Sequence, residues 1–416
     1  MSYPREKLKN FIDVLSGFAF KSKDFTSAGV PVIKIKNVTP PTVTLDDLSY
    51  VSKEIAQAQN RFLLNYDDVL IALTGSHINQ MASVVGRVAR VRHQTPSLLN
   101  QRVGKITVIN PDEMDLDYVY YYLSQDLIKI QLASKAGGAA NQANISPSDV
   151  KNLDIPFPDI DVQRRISGIL SAYDNLIENN QKQIKLLEEA ARRLYKEWFV
   201  NFRFPGYEDT PIVDGVPEGW EIRPSSDVFT FIRGKSYTSK ELSNNQGTLM
   251  VNLKNISAFG GYNRNAEKRF TGKYKEEQQL TPGDIIMGVT DMTQERRLVG
   301  HTAMVPDLKE KMTFSMDLIK LIPISVSKNY LYGTMLYGGF SYKISPLANG
   351  VNVLHLKPEA IMNLPILVPS SSVMEAFDNV FNPICFRIES LQEQIDVASE
   401  ARDRLLPKLM SGEIEV

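Results

Sequence analysis

Two short stretches carry the side chains best suited to polar recognition of a ligand. Thr74-Gly75-Ser76-His77-Ile78-Asn79-Gln80 follows an apolar run and precedes Val84-Val85-Gly86, and Thr290-Asp291-Met292-Thr293-Gln294-Glu295-Arg296-Arg297 follows a second such run. Amides and guanidiniums make two-point contacts with base edges: Asn79 or Gln80 suits adenine, and Arg296 or Arg297 suits O6 and N7 of guanine. Thr74, Ser76, His77, Thr290, Thr293 and Gln294 add hydroxyl, imidazole and amide groups to the same stretches. Either stretch also reads as an ordinary solvated loop. A second pair of turns is formed by Asn141-Gln142, beside Gly137-Gly138-Ala139-Ala140, and by Asn349-Gly350. Glycine there permits close backbone approach to a ligand, or simply an unusual turn. Lys21, Lys23, Lys36, Arg102, Lys235 and Lys254 are candidates for phosphate contact, against the plainer reading of each as a solvated surface cation.

Catalytic chemistry finds little support. No G-x-x-x-x-G-K-[ST] loop is present, so nucleotide hydrolysis is not expected. There is no Glu-x-Lys, and the four histidines are scattered, so neither nuclease chemistry nor a metal-ligand cluster is expected. Cys385 is the sole cysteine, which excludes an intrachain disulfide and a zinc site built on several thiolates. Asn382-Pro383-Ile384-Cys385-Phe386 superficially resembles the base-holding Asn-Pro-x-Phe of amino-methyltransferases. Ile384 falls on a helical apolar repeat, however, and no Gly-rich cofactor strand precedes it, so the fragment reads as helix. No catalytic residue, metal or cofactor is therefore expected. A net charge of -1 gives no global signature of nucleic-acid binding, so any basic surface must be local or borrowed from a partner.

The elements that hold these residues occur twice. Gly17-Phe18-Ala19-Phe20-Lys21 is echoed by Gly234-Lys235-Ser236-Tyr237-Thr238, and Ile33 to Thr39 by Val251 to Ser257. Asp68 to Thr74 matches Asp284 to Thr290, and Val85 to Ala89 matches Val299 to Ala303. The common order makes these weak matches into a strong repeat. The segments are short, rich in Val, Ile and Leu, and separated by Gly, Pro, Asn and Asp, which predicts β structure. Helical interludes are expected around 117–134 and 327–338. Each half closes on a proline-punctuated strand, Asn152 to Pro158 and Asn363 to Pro369, 211 residues apart.

After each closing strand the apolar period becomes helical. Ile166, Leu170, Tyr173, Ile177, Asn180, Ile184, Leu187, Ala191, Leu194 and Trp198 are repeated 211 residues later by Phe377, Phe381, Ile384, Ile388, Leu391, Ile395, Ala398, Arg402, Leu405 and Leu409. Steps of 4 and 3 form a coiled-coil seam. The first helix is then about 60 Å long at 1.5 Å per residue. Antiparallel pairing of the two helices would relate the halves by a pseudo-twofold axis; packing of each helix within one globular domain is the alternative. Asn180 and Arg402 put polar groups on the seam, and Pro383 predicts a kink or a helix start near Asn382. Trp198, Phe199, Phe202 and Phe204 give more aromatic surface than a two-helix seam covers, which points to partner docking. With no apolar run of about 18 residues and no cleavable leader, the chain reads as a soluble cytoplasmic protein.

The segment from Arg402 to Ile414, its counterpart Ala191 to Phe199, Asn144-Ile145-Ser146 and Gln163-Arg164-Arg165-Ile166 together resemble the specificity subunits of type I restriction-modification systems. In the second half Val353-Leu354-His355-Leu356 replaces Asn-Ile-Ser, so the strand end is less defined there. The resemblance implies an α+β chain with two β-rich target recognition domains, residues 1–158 and 205–369, the latter beginning with a linker over 205–219. Spacer helices over 159–204 and 370–416 would form an antiparallel coiled coil. It also implies a non-catalytic role on double-stranded DNA with two methyltransferase subunits and, optionally, restriction-translocation subunits. The competing class is a duplicated coiled-coil adaptor with no DNA role, which the near-neutral charge favours.

Overall fold

The computed structural model describes residues 3–137, 143–264, 266 and 268–416. The chain forms two compact units: Met1–Asn179 with Ile395–Val416, and Asn180–Gln394. In the first unit the strands that matter are β1 (Ile12–Ser16), β2 (Val30–Ile33), β3 (Val69–Ala72), β4 (Val88–Arg90), β5 (Ser97–Leu99) and β6 (Val103–Val108), followed by helices α1 (Leu116–Ser124), α2 (Asp126–Lys135) and α3 (Ile160–Phe199). The second unit repeats them as β7 (Phe229–Arg233), β8 (Thr248–Val251), β9 (Ile285–Gly288), β10 (Thr302–Met304), β11 (Met312–Phe314), β12 (Leu318–Pro323), α4 (Lys328–Leu336), α5 (Phe340–Ile344) and α6 (Ser371–Ser411).

The main sheets run β1-β6-β3-β4, extended by two short strands, and β7-β12-β9-β10. The named strands pair antiparallel within them. In each unit a smaller sheet is built on a parallel pair, β2 with β5 and β8 with β11. The central strand β3 is apolar throughout because both of its faces are covered. Val69 and Ile71 join the core beneath the helices, while Leu70 and Ala72 join the core against the smaller sheet. In β9 the same alternation sends Ile285 and Met287 one way and Ile286 the other. Gly17 and Gly234 mark one close approach in each repeat: a Cβ there would lie 2.4 Å from the Asn100 carbonyl oxygen and 2.0 Å from that of Ser315.

Each half also closes on itself. Arg5–Lys7 pairs with Asp154–Pro156, and Glu221–Pro224 pairs with Pro365–Val368. The long helices begin close to the expected residues, but the compact units do not follow the helix boundaries, because each unit takes half of each helix into its core. In the first unit Ile166 and Leu170 of α3 share a core with Leu406, Leu409 and Met410 of α6. In the second, Ala191, Tyr195 and Phe199 share one with Phe377 and Phe381. The halves are antiparallel within each unit, since residue numbers rise along α3 as their partners fall along α6. None of the twenty seam positions read from the sequence is exposed. The polar ones are paired: Asn180 donates to Gln394 at 3.1 Å, and Arg402 meets Asp174 at 2.7 Å.

Of the two alternatives at Pro383, a kink or a helix start near Asn382, the start is excluded, since α6 begins at Ser371 and runs through Pro383. An interior proline costs roughly 3 kcal/mol. Burial of Phe377 and Phe381, both 0% exposed, returns about 1.5–3 kcal/mol each and keeps the preceding turns helical.

Candidate nucleic-acid interface

The two polar stretches are loops rooted at the ends of β3 and β9. In the first unit Thr74 is 2% exposed, pairs across with Asn144, and donates its hydroxyl to the Asn144 side chain at 2.8 Å. Thr74 is therefore an anchor rather than a base-reading group. The Ser76 hydroxyl donates to the Gln80 carbonyl at 2.7 Å and accepts from Ser83 at 2.9 Å, clasping the loop shut. His77 is half-buried, and Ile78, Asn79 and Gln80 are exposed at the tip. Arg87, 9% exposed, donates to the carbonyls of Ala82 at 2.8 Å and Ile35 at 3.2 Å, so it fastens this loop to the turn over 34–37. Burial lowers its pKa. Asn141 and Gln142 lie outside the described residues.

In the second unit Thr290 is also nearly covered, paired with His355 and donating to Asp317 at 3.1 Å, so it too is an anchor. His355 thus occupies the place of Asn144, which locates the strand end that the sequence left less defined. The next residue, Asp291, is buried and carries the loop. Its carboxylate accepts from the backbone and hydroxyl of Thr293, both at 2.9 Å, and from the backbone of Leu298 at 2.7 Å and Val299 at 3.4 Å. Burial by itself would raise the Asp291 pKa; these hydrogen bonds outweigh it and hold the carboxyl below the usual range. The Thr293 hydroxyl is consequently turned inward. Gln294 donates one N–H to the Val351 carbonyl at 2.8 Å, which joins this loop to the Asn349 turn. Asn349 spends its own amide N–H on the Leu347 carbonyl at 3.0 Å. Arg296 adopts a left-handed backbone (φ 53), and the exposed Arg297 forms an ion pair with Glu295.

Where the first unit has Arg87, the second has His301, 2% exposed and edge-on to Phe259 and Tyr342 at 5.6 and 5.5 Å. Desolvation lowers its pKa. Asn37 and Asn255 form matching buried brackets, donating to Asp46 at 2.9 Å and to Ala266 at 2.8 Å. Among the phosphate candidates Lys21, Lys23, Arg102 and Lys254 are exposed and Lys235 is half-buried. Lys36 is exposed but ion-paired with Asp47. Sequence reading passed over Lys34, which sits 3.9 Å over the Phe25 ring and donates to Ser49 at 2.8 Å.

The aromatic cluster is a correction. Phe199 and Phe204 are 4% exposed, and Trp198 and Phe202 pack against the same core. Phe199 meets Tyr330 at 4.8 Å, Phe377 at 4.9 Å and Trp220 at 5.9 Å; Phe202 and Phe204 meet Trp220 at 5.6 and 4.9 Å. The helix seam alone leaves these rings uncovered, but Trp220 and Tyr330, contributed from outside it, cover Phe199, and Trp220 covers Phe204. Phe199 and Phe204 are core and not a docking surface, while Trp198 and Phe202 remain half-buried at its edge. Asn382 to Phe386 lies on α6.

Residues 5–189 and 217–383 each match the type I restriction modification DNA specificity domain. The type I restriction enzyme MjaIX specificity subunit of Methanocaldococcus jannaschii is 25% identical, over 99% of this chain and 93% of its own. The putative MjaX specificity subunit of the same organism is 24% identical over the same shares. The crystal structure of the type I restriction-modification system S subunit from M. genitalium superposes with a TM-score of 0.62 at 16% identity, covering 98% of this chain and 96% of that one. That last likeness is one of fold.

Proposed function

The chain belongs to the family of type I restriction-modification DNA specificity subunits, and on that ground we propose that it reads a bipartite site on double-stranded DNA, one half-site per unit. One observation carries this reading: the same loop is rooted at the end of the same buried strand in both units, on Thr74 and on Thr290, yet displays different side chains. Two readers of different half-sites need that combination of a common frame and divergent tips. Asn79 and Gln80 are the base-reading groups of residues 1–158; Gln294, Arg296 and Arg297 are those of residues 205–369. Lys21, Lys23, Lys36, Arg102, Lys235 and Lys254 contact phosphates.

In this reading the chain is cytoplasmic, supplies no catalytic centre, and addresses two methyltransferase subunits and the restriction-translocation subunits to DNA. No helix among the described residues is long and apolar enough to cross a membrane. Partner subunits dock on apolar side chains that the long helices leave in solvent, Leu176 and Val397 in one unit and Leu186, Val380 and Phe386 in the other. The helices carry the gap between half-sites.

Mapping methylated adenines genome-wide, with and without the gene, tests the proposal. A two-part motif is expected; exchanging residues 1–158 should change one part alone, and exchanging residues 217–369 the other. A single contiguous motif would overturn it. Absence of any salt-sensitive DNA preference in the complex would favour the duplicated adaptor.

A further inference from the structure

Each reading loop holds one large apolar side chain out to solvent beside its amides. Ile78 is 52% exposed next to Asn79 and Gln80, and Met292 is 77% exposed two residues before Gln294. A lone exposed apolar residue needs no explanation. Here, however, the frames are built rigidly, by the Ser76-Ser83 clasp in one unit and by the buried Asp291 carboxylate in the other. Two loops of different sequence and different internal bonding arrive at the same display, an apolar group alongside an amide.

The second unit goes further. Gln294 gives one N–H to the Val351 carbonyl, which orients its amide and leaves the oxygen and the other N–H, the two groups an adenine edge requires. The same bond fastens to the loop a second exposed apolar residue, Val351, 89% exposed. In the major groove an A·T pair offers the adenine N6 and N7 to an amide and the thymine 5-methyl to an apolar side chain. Hydrogen bonds cannot sense that methyl, whereas a neighbouring hydrocarbon can.

We propose that each unit reads a thymine through its 5-methyl group, by Ile78 in the first and by Met292 in the second, with the adjacent amide on an adenine. The inference rests on the DNA-specificity reading above. The test uses the full chain in complex with its methyltransferase subunits and duplexes carrying its own site, with uracil replacing each thymine in turn. For the unaltered complex one substitution in each half-site is expected to weaken binding about fourfold, the worth of one buried methyl-sized group. In Ile78→Ala that penalty should vanish in the first half-site only, and in Met292→Ala in the second only. Met292→Leu, which keeps the hydrocarbon, should retain it.

Both residues are solvent-exposed, so unchanged melting temperatures are expected and will separate contact from folding. Uracil penalties that are the same in the unaltered complex and the alanine variants overturn the inference and leave the specificity reading standing. A half-site without an A·T pair overturns it equally. Failure of the complex to prefer its site over unrelated DNA would instead sink the specificity reading, and this inference with it.

Discussion

At the residue scale the second loop is framed by two groups that acid acts upon. His301 is buried with its pKa held below the ordinary 6.5, so the folded unit keeps it neutral while the unfolded chain takes up a proton first as pH falls. Its folded pKa being the lower one, stability is present above about 6.5 and declines as pH drops from there toward the folded value. Asp291 works in the same direction at lower pH: its depressed carboxyl contributes stability above the ordinary 3.8 that is lost as pH falls through the folded value. The matching position in the first unit is Arg87, charged throughout this range. We therefore expect the melting temperature of the unaltered chain to drop between pH 7.5 and 5.5, and that of His301→Gln to drop less. Equal slopes would show that His301 is not the titrating group. The sequence sets His301 opposite Arg87 in the repeat without showing that it is buried; its burial depends on Phe259 and Tyr342, which no local pattern connects to it.

At the element scale the two units fasten the helix after the main sheet to a long helix through the same hydrogen bond with its ends exchanged. Asp115 caps α1 by accepting from Tyr118 at 2.8 Å and also accepts from Ser167 of α3 at 2.6 Å. Ser327 caps α4 by accepting from Tyr330 at 3.1 Å and donates to Asp378 of α6 at 2.9 Å. Ser327→Asp would set two carboxylates against each other where burial already raises the Asp378 pKa. A loss of about 1–3 kcal/mol is expected, largely restored when Asp378→Ser is added; denaturant titration of the single and double variants decides it. The seam was legible in the sequence because a 4-and-3 spacing has one physical cause. Phe199 and Phe204 at the end of α3 were misread because their cover comes from Trp220 and, for Phe199, Tyr330. Phe199→Ala should consequently cost about 3–5 kcal/mol of stability. If it left stability intact and weakened only the binding of methyltransferase subunits, the cluster would be a surface after all.

At the scale of the whole molecule the compact units cross the boundaries of the long helices, and residues 395–416 belong with the first half of the chain. Leu406, Leu409 and Met410 lie in the first unit's core. Losing a buried Leu or Met side chain costs about 2–5 kcal/mol, against a total of roughly 5–15 kcal/mol for a domain. A chain ending at Gln394 is expected to unfold its first unit and to keep the transition of its second; hydrogen exchange over residues 69–90 and 285–304 would tell them apart. By itself the sequence determined the duplication, the β-rich character of each half, the helical seam and the place of the two loops, since apolar period and ordered repeats are local properties of the chain. Only the tertiary structure decided that Thr74 and Thr290 are anchors, that Asp291 and Arg87 hold the loops, and that Phe199 and Phe204 are core. Those roles depend on burial and on partners such as Asn144, His355 and Trp220, which are distant along the chain and meet these residues only after folding.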